Sequence, residues 1–412
     1  MSKNTQYEKN AGSGMFERHY VKTIVDRISE ANNPLMQVVV GPRQTGKSTM
    51  LGQALAKVDM EQFFISADDA IVPSEEWLQI EWQQARNATR LGSRPVVLVV
   101  DEIQKVPHWS LVVKSLYDAD RRNDMPVRVV LSGSSSLLLH KGLEDSLMGR
   151  FELIHSPHWS YSECFQAFGF SFDDYLYYGG YPGAARFASD DARWISYIRE
   201  AIIEPTISQD VLALEDIRKP ALMRALFRFG ATYSAQELSY TKMLGQLQDA
   251  GNTVTVAHYL DLLDKAGMLC GIQKYDAKEV RRRKSSPRFM VYDTSLMTAS
   301  SGIEKSRYLG EPDLRGHLVE SAVGARLLAR ASEEGLGVYW WREGTKEVDF
   351  VVSKGFDSLS AIEVKSGKEK GQSGMADFLS AHPSAKRIVV GGAASGACGV
   401  EEFLKDEVEL FY

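Results

Sequence analysis

Gly41-Pro42-Arg43-Gln44-Thr45-Gly46-Lys47-Ser48 follows the apolar run Met36–Val40 and leads into a helix-like segment beginning near Thr49. A strand that ends in a glycine-bearing turn exposes successive backbone N–H groups. The helix behind it adds the partial positive charge of its N-terminus. The nine positions Gly41, Pro42, Arg43, Gln44, Thr45, Gly46, Lys47, Ser48 and Thr49 thus form an anion cradle sized for nucleotide phosphates. In a G-x-x-x-x-G-K-S loop the lysine reaches the β- and γ-phosphates and the serine hydroxyl holds Mg²⁺. Lys47 and Ser48 take those places, and a nucleotide with Mg²⁺ is the expected ligand pair. The plain alternative is a glycine-rich surface loop, and the strand–loop–helix setting argues against it.

Further strand-like runs follow at Gln62–Ile65, Pro95–Val100 and Val127–Leu131, separated by helix-length segments that include Glu75–Arg90 and Trp109–Arg121. This alternation predicts parallel βαβ units with ligands at the carboxyl ends of the strands. The runs are almost continuously apolar, as in a sheet covered on both faces. Val99-Val100-Asp101-Glu102 closes one of them. Asp101 is placed to hold Mg²⁺ through its water shell, and Glu102 to polarise an attacking water. The alternative for this pair is two carboxylates that simply close a strand at the surface. At Ser132-Gly133-Ser134 a small polar side chain, assigned to Ser134, either senses the γ-phosphate or caps a helix starting near Ser135. Arg150 is expected to neutralise charge during phosphoryl transfer, within the subunit or from a neighbour, with a solvated surface arginine as the plain alternative.

With 412 residues, 44% hydrophobic and 25% charged, and a formal net charge of −6, the chain reads as an ordinary soluble protein of two or three domains. The charge excludes a uniformly basic surface. Cys164, Cys270 and Cys398 have no disulfide or zinc spacing. Met1–Gly14 is polar, and Pro95–Val100, one of the longest apolar stretches, is far too short to span a bilayer. A cytoplasmic location with no membrane contact is expected.

GPRQTGKST, VVDEIQKVPHW, VVLSGSSSLL, LMGRFE and YYGGYPGAARF, followed by Tyr292-Asp293-Thr294-Ser295-Leu296 and a late Glu-Val-Lys, resemble prokaryotic AAA-type ATPases with a C-terminal domain of unknown function. The resemblance covers nearly the whole chain. It implies an α/β P-loop NTPase sheet of the additional-strand catalytic-glutamate type, a winged-helix-like middle and a C-terminal fold related to restriction endonucleases. The expected divisions are 1–160 for the ATPase domain, 161–215 for a helical lid or connector, 216–300 for the winged helix and 301–412 for the last domain.

Between Pro220 and Tyr292 the pattern is three helices and two short strands, Met268–Ile272 and Arg288–Val291. The basic run Lys278–Lys284 lies between those strands. It is read as a phosphate-backbone clamp or, equally simply, as a solvated hairpin tip. In the last hundred residues a helix over Leu314–Ala331 precedes strands Val338–Arg342, Val348–Val352, Ala361–Lys365 and Arg387–Val390. Asp349 interrupts an apolar strand, and Glu363 and Lys365 alternate onto one face of the next. With Glu320 they resemble the D…E-x-K site of restriction-endonuclease-like nucleases. In such a site Asp349 and Glu363 share a hard metal and Lys365 stands beside the attacking water. An ordinary surface ion pair is the alternative.

The leading functional expectation is an ATPase whose nucleotide state controls the winged-helix and nuclease-like regions. An ATP-dependent nuclease on DNA or RNA, and a nucleotide-gated switch that binds a protein partner, are the alternatives. An oligomer is compatible with each.

Overall fold

The computed structural model describes residues 15–30, 35–92, 94–133, 146–211, 217, 219–246, 252–276, 286–355, 358–365, 372–392 and 395–412. Two compact units divide the chain, Met1–Ser156 and Pro157–Tyr412.

In the first unit, strands β1 (Met36–Val40), β2 (Glu61–Ser66), β3 (Val96–Asp101), β4 (Val127–Gly133) and β5 (Phe151–His155) form one sheet in the order β2-β3-β4-β1-β5, with every pairing parallel. Alternate side chains leave opposite faces, so one apolar run serves two cores. Val38, Val40, Leu98, Val100, Val129 and Leu131 pack against Leu78 and Trp82 of α3 (Glu75–Gly92) and Val113 and Tyr117 of α4 (Trp109–Arg122). Val39, Val97, Val99 and Val130 face Ile24 of α1 (Tyr20–Ser29) and Met50 and Leu51 of α2 (Lys47–Leu55). The buried Asp120 joins α3 to α4, accepting from Trp82 Nε1 at 2.7 Å and Arg86 Nε at 2.5 Å.

The second unit opens with short helices whose serine N-caps are reciprocated by carboxylates: Ser160 with Glu163 and Ser171 with Asp174. The glycine pair in YYGGYPG is there for space. A Cβ on Gly180 would lie 2.3 Å from the Trp159 carbonyl, and Gly179 has φ +66° with Asp293 Oδ1 against it. The fully buried Asp293 accepts from the Gly180 N–H at 2.7 Å and the Ser295 N–H at 2.9 Å. Two motifs far apart in sequence are therefore one clamp.

Helices α5 (Pro220–Thr232), α6 (Tyr240–Gln246) and α7 (Thr253–Lys265) and strands β6 (Leu269–Lys274) and β7 (Arg288–Val291) follow in the order expected of the middle segment. β6 and β7 pair antiparallel as a hairpin. The hairpin does not stand apart, because β6 also runs parallel to β8 (Gly337–Glu343) through Gln273–Tyr339 and Lys274–Trp340. A sheet ordered β12-β10-β9-β8-β6-β7 results, with β9 Lys346–Lys354, β10 Ser358–Val364, β11 Gln372–Ser373 paired beside β9, and β12 Lys386–Val390. Helix α8 (Pro312–Glu334) packs on it. Segments expected as separate domains thus share one sheet. The basic run Lys278–Lys284 lies outside the described residues. No described helix is long and apolar enough to cross a membrane.

Candidate nucleotide site and the C-terminal carboxylate cluster

The order β3-β4-β1 brings three carboxyl ends side by side: Asp101, Ser132–Gly133 and the loop after Val40. Gly41 leaves β1 where a Cβ would lie 2.1 Å from the Ser156 carbonyl, so only glycine fits. Gly46 turns the chain into α2 at φ +87°, and the Met50 N–H donates to the Gly46 carbonyl at 2.9 Å. Gln44 also has a positive φ, 61°. The buried Thr45 hydroxyl donates to the Pro42 carbonyl at 3.0 Å and fixes the loop from within. Lys47 Nζ donates to the carbonyls of Gly41 at 2.9 Å and Pro42 at 2.6 Å, so its ammonium lies across the loop.

Asp101, 5% exposed, is the hub. Its Oδ2 accepts from the Ser48 hydroxyl at 2.6 Å, and its Oδ1 accepts from the fully buried Ser132 hydroxyl and from the Glu102 N–H at 3.1 Å. Glu102 itself adopts φ 52°, ψ 37°, a left-handed conformation that costs a non-glycine residue about 1–3 kcal/mol and gathers at functional sites. Gln104 Nε2 donates to Glu102 Oε2 at 2.6 Å. The residues fit ATP and Mg²⁺: a glycine cradle at a helix N-terminus, a lysine across it, and a hydroxyl and carboxylate oxygen already in contact.

Ser134 lies outside the described residues; within β4 it is the Ser132 hydroxyl that reaches Asp101. Parallel pairing sets this, because Ser132 is the partner of Val39 one step before the loop. Arg150 chelates Asp118 on α4, Nε to Oδ1 at 2.8 Å and a terminal nitrogen to Oδ2 at 3.0 Å. That hydrogen bonding pulls the Asp118 carboxyl below its ordinary range.

In the second unit the expected nuclease-type residues do converge, but on cations of the chain. Arg288, 3% exposed, reaches Glu320 Oε1 at 3.2 Å and Asp349 Oδ1 at 3.7 Å, and also pairs with Glu347. Asp349 Oδ2 accepts from the Val364 N–H at 2.8 Å, and Glu363 pairs with Lys365 at 2.7 Å. Burial pushes the Asp349 carboxyl up, against the pull of Arg288. The arrangement expected for Asp349 and Glu363, a shared hard metal, does not fit these partners. Among the described residues no group of three or more His, Cys, Asp or Glu is placed to hold a metal ion. Sequence reading missed Arg288 and Glu347, and nothing in the local pattern of β7 marks the arginine as buried.

Residues 33–165 match the family described as AAA domain. Residues 169–307 match a domain of unknown function (DUF8612) and residues 315–397 another (DUF4143). Among relatives, an uncharacterized protein of Haemophilus influenzae is 22% identical over 80% of this chain and 82% of its own length. An uncharacterized protein of Mycobacterium tuberculosis is 29% identical over 76% of this chain and 67% of its own. A solved Walker-type ATPase of Pyrococcus abyssi aligns over 70% of this chain and 96% of its own, at TM-score 0.45 and 14% identity. Residues 33–165 are thus similar to AAA domains, and the loop geometry fits nucleotide phosphates. The matches in the second unit are to domains of unknown function.

Proposed function

We propose that the chain is a Mg²⁺-dependent ATPase of the additional-strand catalytic-glutamate type, whose nucleotide state governs the Pro157–Tyr412 unit. One observation carries this reading: Ser48 and Asp101, 53 residues apart, meet at 2.6 Å and join the phosphate loop to the acidic strand end. The position of β4 between β1 and β3 supports the additional-strand assignment.

In this reading Lys47 leaves the Gly41 and Pro42 carbonyls for the phosphates and offsets charge as it builds on the γ-phosphoryl group. Ser48 and Asp101 hold the metal side of the cleft. Bound Mg²⁺ supplies charge stabilisation to the phosphoryl oxygens. Glu102 orients the attacking water in line with the leaving group, and its left-handed backbone, with the Gln104 amide on its other side, fixes the carboxylate. Arg150 supplies further positive charge once it leaves Asp118. The route to the second unit is short in sequence. Ser156, the last residue of the first unit, donates from its N–H to Val40 at 2.8 Å and rests its carbonyl on Gly41. We further propose a restriction-endonuclease-like scaffold for the C-terminal sheet, supported by a long helix followed by the antiparallel β8-β9-β10 and a parallel β12.

The test is steady-state phosphate release alongside nucleotide binding. Glu102→Gln keeps ATP affinity and lowers turnover by about 10²–10⁴-fold, the range of a positioned proton acceptor. Lys47→Ala weakens ATP binding itself. Unchanged turnover in Glu102→Gln refutes the assignment.

A further inference from the structure

We infer that Arg288 is the resident cation of the Glu320–Glu347–Asp349 cluster, and that this cluster binds no divalent metal while Arg288 is in place. The inference stands apart from the ATPase reading and concerns a site 32 to 61 residues from Arg288 in sequence.

A guanidinium stays charged at any ordinary pH, and burying it requires anionic partners. Arg288 is almost entirely buried, and three carboxylates surround it. It is also held by neutral contacts. One terminal nitrogen donates to the Asp349 carbonyl at 3.1 Å, and the guanidinium lies 5.4 Å from the centre of the Trp340 ring. Its backbone is fixed between Ile272 and Glu237. The carboxylates a metal would need thus already face cations or an N–H donor of the chain. Asp349 Oδ1 faces the guanidinium, Oδ2 takes the Val364 N–H, Glu363 faces Lys365, and Glu347 is shared by Arg288 and Arg342. A hard dication at Asp349 would sit beside a fixed positive charge in a desolvated setting, where repulsion is weakly screened. The sheet that brings the nuclease-type residues together thus brings an arginine to the place where a metal was expected.

The experiment counts bound Mn²⁺ by the loss of its free electron-spin-resonance signal, using the full chain without nucleotide. Wild type and Asp349→Asn should bind the same amount, since any Mn²⁺ at the phosphate loop is common to both. A wild-type site that disappears in Asp349→Asn overturns the inference. Arg288→Met, with its fold checked by a cooperative thermal transition, should gain one site, and Arg288→Met/Asp349→Asn should lose it again. A folded Arg288→Met that gains none overturns the role given to the arginine. If Arg288→Met does not fold, the comparison of wild type with Asp349→Asn decides alone.

Discussion

Ser132→Ala removes one hydroxyl from the nucleotide unit and leaves the backbone of β4 intact. In the wild-type chain that hydroxyl donates to Asp101 Oδ1, with Ser132 at 0% and Asp101 at 5% exposure. The bond is charge-assisted and shielded from solvent, so its worth lies in the range of about 1.5–3 kcal/mol. With the hydroxyl gone, Oδ1 keeps, among the described residues, the 3.1 Å contact from the Glu102 N–H, and the carboxylate is held less firmly against Ser48. If the whole of that energy serves to hold Asp101 in the reacting arrangement, turnover falls by about 10- to 150-fold, since 1.4 kcal/mol is a factor of ten. ATP affinity should change little, because the proposed function leaves the phosphates to the loop and Lys47. Phosphate release at saturating ATP measures the first quantity, and titration with a fluorescent ATP analogue the second. Turnover within twofold of wild type, in a variant with an unchanged melting curve, refutes the role given to Ser132. Loss of ATP binding without loss of turnover at saturation refutes the division of labour.

Arg150 and Asp118 can be separated by paired variants. Arg150→Ala should lower turnover, whereas Asp118→Ala, which releases the chelated guanidinium, should leave it equal or higher; a drop in both would assign the pair a purely structural role. Asp120→Ala strands the Trp82 N–H and the Arg86 guanidinium in the core and should destabilise the first unit by about 3–5 kcal/mol in urea unfolding. A loss under 1 kcal/mol would show that water replaces the carboxylate, again on the scale of about one hydrogen bond. In the second unit, burial raises the Asp293 carboxyl from 3.8 to about 6, so the folded state holds its proton more tightly than the unfolded chain. Its contribution is full below pH 3.8 and is lost as pH rises through 6, on the order of 3 kcal/mol between pH 4 and pH 7. Asp264, also raised to about 6 by burial, acts in the same direction. Urea midpoints at pH 5 and pH 7.5 should show a smaller decline for Asp293→Asn than for wild type, and equal declines would remove Asp293 as a cause.

The strands of the first sheet are legible because a strand covered on both faces is apolar at nearly every position. Val96–Asp101 and Met36–Val40 stand out from their neighbours for that reason alone. Helix ends are set by local chemistry and fall within two residues of expectation at Glu75–Gly92 and Trp109–Arg122. Pairing is another matter. That β4 lies between β1 and β3, and hence that the Ser132 hydroxyl reaches Asp101, depends on contacts across more than thirty residues. The same limit hid the union of β6 with β8, since a short hairpin strand reads alike whether it is paired along one edge or both. Arg288 is the sharpest case. An arginine on a four-residue strand reads as solvent-facing, and only the arrival of Glu320, Glu347 and Asp349 from elsewhere makes its burial tolerable.

The clamp between Gly180 and Asp293 ties together positions 113 residues apart. A side chain at 180 collides with the Trp159 carbonyl and closes on Asp293 Oδ2, while loss of the acid strands two N–H donors in the interior. Neither position can drift alone through neutral steps. Across descendants of this chain the two should be inherited as a couple, so that a comparison of many such sequences finds glycine at the first wherever aspartate persists at the second.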